Sequence, residues 1–387
     1  MTEQNITTHL SVKIYTSLQE IEADCWNSIC TSIPFFQTYE FLKMIESIQQ
    51  TLQFRYVLVF KNNRIEAALY FQLLDFSFRN LVNYSSEHEQ QAGIKTSVKR
   101  YIARKNTKLL NLGNVFFTGD KGIIAKEESE VVEQLPLFFE AVKSTFKEKK
   151  PAASLLANIY LKDEEKCSRF CEQSFHPFIT EPDMFMQLDE NWHSMADYMN
   201  ALSSKYRVRT KKIVSTSADI VKKDFCKEEV IAYKNEIQLL YNNVVNNVAF
   251  NMATLNIDFF ENVKELYGDR CVVSGYFLHN NLVGFSCVFH LETDTMHVHY
   301  IGLNYDVNKE YKLYNRMLLD FVEFGIQCRV KHIHFGRTAT EIKTTIGAKP
   351  NPLRAYLKMN NRFFNMALPT FLKRIKPPEY VVRNPFK

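Results

Sequence analysis

The stretch HIHFGRTATEIKTTIGAKP, residues 332–350, reads as a strand, a turn and a short helix in close succession. Lys331-His332-Ile333-His334-Phe335 alternates in character, the pattern of a strand with Ile333 and Phe335 on one face and the two histidines on the other. Gly336 ends it. Thr338-Ala339-Thr340-Glu341 has the spacing of a capping box, in which the Thr338 hydroxyl accepts from the Glu341 backbone N–H and the Glu341 carboxylate accepts from that of Thr338. A helix is therefore expected from about Ala339, with Ile342 and Ile346 on its buried side, Lys343 on a neighbouring face and Gly347 in the left-handed conformation that closes it. Arg337 and Lys343 would then sit near the carboxyl end of a strand, where open α/β sheets bind ligands.

Composition sets the frame around this stretch. A chain of 387 residues suits two domains, and an apolar share of 46% excludes wholesale disorder. Phe (31) and Tyr (19) are abundant while Gly and Pro stand at 11 each, so a long glycine-rich phosphate loop is not expected. The net charge of +5 is spread along the chain; it favours an anionic substrate without being the footprint of a nucleic-acid binder. No run reaches the roughly 18 apolar residues of a membrane span. The opening MTEQNITTHLS lacks the basic-then-apolar order of a signal peptide, so a cytoplasmic location is expected. Eight cysteines, mostly single and in apolar contexts, read as reduced buried thiols. Cys167, Cys171 and His176 are near one another but lack a fourth ligand, so no metal is expected.

Along the chain, residues 12–75 read as strand, helix, helix and a hairpin turning at Asn62-Asn63. Residues 81–108 are polar and basic, an exposed helix or excursion. The charged run from Lys147, broken by Pro151, reads as a linker, which divides the chain into residues 1–150 and 151–387. The second part begins with the strand ASLLANIYL, continues with helices over about 194–218 and 228–248, and then shows a three-strand meander within residues 270–303. An amphipathic helix follows over about 308–327, then the opening stretch and a last strand, PLRAYLKM. The basic, Pro-broken tail FLKRIKPPEYVVRNPFK is expected to be peripheral.

This order, together with SSKYRVRTKK (203–212), LYNRMLLDFVEFGIQ (313–327) and FGRTATEIKTTIGAKPNPLRAYL (335–357), resembles the FemAB-like tandem-GNAT proteins, in particular the BioF2-like acetyltransferase group. The resemblance implies a mixed-sheet α/β fold of two tandem GNAT-like domains, the second carrying acyl transfer and the first without a catalytic constellation. It implies an N-acyltransferase that moves an acyl or aminoacyl group from a thioester or ester donor, acyl-CoA or an acyl carrier protein thioester, to a small-molecule or lipid-precursor amine. It also places Lys343 where Fem-type ligases have a lysine before the closing glycine, and Gly302 to Asn308, with Asn304, where GNAT domains bind the donor pyrophosphate. That loop lacks the glycine-rich pattern of CoA-using members. Two other readings stay open: a Fem-like aminoacyl-tRNA-dependent transferase in cell-wall precursor synthesis, and a non-catalytic GNAT-fold binding protein.

The residues themselves suggest parts of this chemistry. Arg337 is planar and bidentate, suited to a phosphate or carboxylate, and Lys343 could hold donor phosphate or an oxyanion. Lys205, Arg209 and Lys212 fall at i, i+4 and i+7, a basic stripe for an anionic donor or acceptor, with Tyr206 expected to point inward. His297, His299, His332 and His334 alternate on two strands expected to be close in the sheet. Of these, His299, with Tyr300 beside it just before the loop, is best placed to deprotonate an amine.

Overall fold

The computed structural model describes residues 2–6, 10–77, 106–148, 150–161, 167–248, 251–375 and 377–387. The chain forms two compact units: Met1–Glu181, Ala249–Leu255 and Pro352–Pro378 make unit 1, and Pro182–Val248, Asn256–Asn351 and Glu379–Lys387 make unit 2. The expected division near residue 150 falls inside unit 1. The basic excursion expected over 81–108 lies outside the described residues, apart from its last three.

Unit 1 contains β1 (Thr2–Asn5), β2 (Leu10–Tyr15), β3 (Gln53–Lys61), β4 (Arg64–Ser77), β5 (Asn106–Leu112), β6 (Ile123–Ala125) and β7 (Ala153–Tyr160). The first five follow one another across the sheet as antiparallel neighbours, β6 lies against β4, and β7 pairs in parallel with β5. Asn62 and Asn63 turn the β3–β4 hairpin with φ of 51° and 63°, the left-handed pair that a two-residue hairpin requires. The helix Glu128–Ser144 buries Val131, Val132, Leu135, Phe138, Phe139 and Val142 against Val57, Leu69, Phe71 and Leu110 of the sheet.

Unit 2 contains the last residues of β8 (His176–Gln187), then β9 (Ile220–Asp224), β10 (Cys271–Leu278), β11 (Asn281–Phe289), β12 (Thr295–Leu303) and β13 (His332–Gly336). Their spatial order is β8-β13-β12-β11-β10-β9, with the expected meander in its middle. All neighbours are antiparallel except β12 and β13. β9, the short lysine-bearing strand at the edge, was not foreseen; charged side chains there discourage pairing with another chain. One face of the sheet is covered by the helix Leu313–Gln327, whose Leu313, Met317, Leu318, Phe321 and Val322 share a core with Met184, Met186, Ile333 and Phe335. Gly325 permits the close approach, because a Cβ there would lie 2.8 Å from Ile333 Cδ1. Tyr300 belongs to an aromatic layer with Tyr241, Phe259 and Phe260.

The last strand, β14 (Lys349–Met359), returns to pair antiparallel with β7. The tail after it is not peripheral. Phe386 packs against Trp192 and Tyr198, Ser203 N–H donates to Pro385 C=O at 2.9 Å, and Arg383 Nη2 meets Glu341 Oε1 at 2.5 Å. Among the described residues no helix is long and apolar enough to cross a membrane.

Candidate active site

β12 and β13 pair in parallel at only three positions, Thr295 with His332, Met296 with Ile333 and His297 with His334. β12 then runs on to Leu303 beside β11, while Gly336 of β13 pairs with Met184 of β8. The two strands part, and a cavity of ≈ 70 Å³ lies among residues of both, with His299, Phe335, Arg337, Thr338 and Lys343 in its wall. A larger cavity, ≈ 530 Å³, lies in unit 1, but Lys61, Arg64, Glu66, Glu127 and Glu130 give it charges of both signs. Lys61 and Glu130 there pair with each other at 2.7 Å. The smaller cavity is therefore preferred, on its chemistry rather than its volume.

His299 enters this wall through a bulge. Cys287 faces Tyr300 and the next pair is Val288 with Val298, so His299 is the extra residue of β12. Burial pushes its imidazole well below the ordinary histidine value, and the neighbouring His297 and His334 push in the same direction. It is neutral near pH 7. Tyr300, one residue on, is not in the cavity wall; its ring meets Phe259 at 5.4 Å, and burial raises the phenol well above its ordinary value.

The turn after β13 differs from the expected cap. The helix runs Thr340–Thr344, and neither Thr338 nor Glu341 caps it; Glu341 is engaged by Arg383. Gly336, Thr338 and Ala339 instead have φ of 65°, 67° and 48°, a left-handed run that costs strain at the two non-glycine positions. Lys343 holds this turn together. Only 4% exposed, it donates from Nζ to the carbonyl oxygens of Phe335 at 2.8 Å, Gly336 at 3.2 Å and Arg337 at 2.7 Å. The lysine expected to hold donor phosphate or an oxyanion is thus a buried tie within the turn. Arg337 is half-buried in the cavity wall, and among the described residues its guanidinium has no hydrogen-bonding or ionic partner. Gly347 has the left-handed φ expected of it, 105°.

The remaining candidates lie apart from the cavity wall. Asn304 caps the helix Tyr305–Tyr311, its Oδ1 accepting from the N–H groups of Asp306 at 3.0 Å and Val307 at 3.2 Å. Lys205 and Arg209 are exposed on the helix Ser204–Thr216, with Lys205 Nζ 5.8 Å from the Tyr206 ring centre. Tyr206 does turn inward, packing against the core of unit 2. All the candidates named from the sequence belong to unit 2.

Sequence reading missed two acids. Asp183 Oδ1 lies 2.6 Å from His334 Nε2, fully buried, and Glu292 Oε2 lies 3.3 Å from His297 Nε2. The two histidines meet through their Nδ1 atoms at 3.0 Å. The available signal for Asp183 was a carboxylate inside the apolar strand EPDMFMQL, since such a residue is seldom buried without a partner.

Two units built on mixed sheets, the second with parallel strands that part over a cavity, make this a tandem GNAT fold. Two solved structures share it. The crystal structure of FemX aligns over 95% of this chain and 100% of its own, with a TM-score of 0.53 and 9% identity. A tandem GNAT protein from the clavulanic acid biosynthesis pathway aligns over 90% of this chain and 99% of its own, with a TM-score of 0.52 and 9% identity. At such identity the likeness is one of fold. No family model and no curated protein sequence matches the chain.

Proposed function

We propose that unit 2 is an N-acyltransferase, moving an acyl or aminoacyl group from a thioester or ester donor to an amine on a small molecule or lipid precursor. One observation carries this reading: His299, on its bulge, and Arg337 line the same cavity in the gap between β12 and β13. The fold shared with FemX and the tandem GNAT protein supports it, as does the FemAB-like, BioF2-like sequence pattern.

Acyl transfer needs a neutral amine, a carbonyl within reach and a counter-charge for the oxyanion. As the amine nitrogen bonds to the carbonyl carbon, the carbon–sulfur or carbon–oxygen bond breaks, the leaving group departs with the electron pair, and the nitrogen sheds a proton. His299 is the acceptor of that proton. Arg337 holds the negative charge of the donor or of the oxyanion. Lys343 acts through Arg337, by fixing the turn that carries it.

The Asn304 cap bears on the donor. The N–H groups of Asp306 and Val307 are taken by Asn304 Oδ1, and the Asp306 carboxylate adds negative charge to the same turn, an unfavourable setting for a pyrophosphate. This favours an acyl carrier protein thioester or an aminoacyl-tRNA over acyl-CoA as donor. A single-turnover assay with labelled acyl-CoA, acyl carrier protein and aminoacyl-tRNA, run against a panel of amines, tests the reading. His299→Ala and Arg337→Ala should each lower transfer about 100-fold, and Arg337→Ala should change stability by no more than about 0.5 kcal/mol. Undiminished transfer in both variants would overturn the proposal.

A further inference from the structure

We infer that His297, His299 and His334 form a binding site for one divalent transition metal, with zinc the best match to three imidazoles. The inference goes beyond the acyl-transfer reading and does not depend on it. The three histidines come from β12 and β13, and one ligand nitrogen from each lies within 4.8 Å of the other two. The His297 and His334 Nδ1 atoms are 3.0 Å apart. Tetrahedral zinc at its usual bond length of about 2.0–2.1 Å would set its ligand nitrogens roughly 3.3 Å apart, so the His297–His334 pair is close to that spacing and the His299 nitrogen, within 4.8 Å, would move inward to complete the site.

The chemistry around the rings points the same way. Asp183 at His334 Nε2 favours the tautomer with its proton on Nε2, which turns the His334 Nδ1 lone pair toward His297 Nδ1; Glu292 Oε2 lies 3.3 Å from His297 Nε2 without hydrogen-bond geometry. Where His297 Nδ1 carries no proton, two lone pairs meet at 3.0 Å and repel unless a cation lies between them. A carboxylate on the outer nitrogen of a ligating histidine is also the usual second layer of a metal site. The rings are arranged for convergence: His334 stands perpendicular to both His297 and His299, at 88° in each case. His297 and His334 are 7% and 3% exposed, and His299 in the cavity wall supplies an entry path. Nitrogen ligands without thiolate or clustered carboxylates favour zinc, cobalt, nickel or copper over magnesium and calcium.

A proton shared between the two Nδ1 atoms would relieve the same repulsion, and the experiment separates the two cases. Full-length protein without a polyhistidine tag, stripped with EDTA, is titrated with zinc chloride in a calorimeter. One zinc per chain is expected, with affinity lowered about 100-fold by His299→Ala and about 10- to 100-fold by Asp183→Asn. Absence of uptake by the stripped wild type, or equal affinity in His299→Ala, would overturn the site. If a variant does not fold, the absorption spectrum of the cobalt-loaded wild type decides: tetrahedral d–d bands uphold the site, and the spectrum of free hydrated cobalt refutes it. Zinc on His299 would occupy the lone pair that acyl transfer needs. Transfer by the stripped protein therefore tests the enzymatic reading, and zinc titration without donor tests the metal site.

Discussion

Three successive carbonyl oxygens claim the ammonium of Lys343, which changes what its removal should do. On an exposed helix face, Lys343→Met would shift stability by only about 0.5 kcal/mol. In the folded protein it strips the partner from carbonyls that face inward, and a loss of about 3 kcal/mol in urea unfolding is expected. A loss below about 0.5 kcal/mol with abolished transfer would return Lys343 to the reacting centre. Asp120 of unit 1 poses a second residue-scale question. It accepts hydrogen bonds from Gln37 Nε2 at 2.8 Å and Gly122 N–H at 2.7 Å, and from Asn114 N–H and the Tyr70 hydroxyl, yet burial pushes it up to about 7. Unfolded, it titrates at its ordinary value of 3.8, so between about pH 4 and pH 7 the folded state holds the extra proton. Its contribution to stability therefore falls as pH rises through that window and is constant above it. Melting temperatures from pH 4 to pH 8 should show this downward trend in the wild type, and the trend should be weaker in Asp120→Asn. Identical slopes would refute the assignment.

At the scale of elements, two departures from regularity build the cavity: the β12 bulge and the left-handed turn after β13. The bulge matters because strand side chains alternate; an extra residue lets His299 join Val298 and Ile301 in the cavity wall while Tyr300 keeps its place in the aromatic layer. The turn matters because it aims Arg337. Thr338 and Ala339 have φ values that glycine adopts without penalty, so Ala339→Gly should stabilise the protein by up to about 1 kcal/mol. If the strain holds Arg337 in place, the same change should lower transfer. A chemical-denaturation midpoint that falls in Ala339→Gly would show that the turn is not strained. The capping box was legible as spacing, but spacing cannot register that Arg383, forty-two positions on, competes for the Glu341 carboxylate.

For the whole molecule, the path of the chain decides what can be cut. β7 follows the expected linker but supplies the parallel neighbour of β5, with Leu109 opposite Ala153 and Leu112 opposite Leu156. A fragment of residues 1–150 lacks β7, would leave β5 as an open edge and is expected to aggregate. A monomeric fragment with a cooperative melt would show that unit 1 does not need β7. Local chemistry alone determined much of the fold. Alternation placed β13 and the meander, the asparagine pair placed the hairpin, Gly347 placed the helix end, and the apolar stripe placed most of the helix expected over 308–327, which is broken at Lys312 (φ 57°) into Tyr305–Tyr311 and Leu313–Gln327. Each of these depends on residues a few positions apart, whose backbone preferences act before any long-range contact exists. Only the tertiary structure decided the fates of the polar groups: Asp183 beside His334, Lys343 turned inward, and the tail docked through Phe386 and Arg383. A buried charge takes whichever partner the packing brings within reach, and for Asp183 that partner stands 151 positions away.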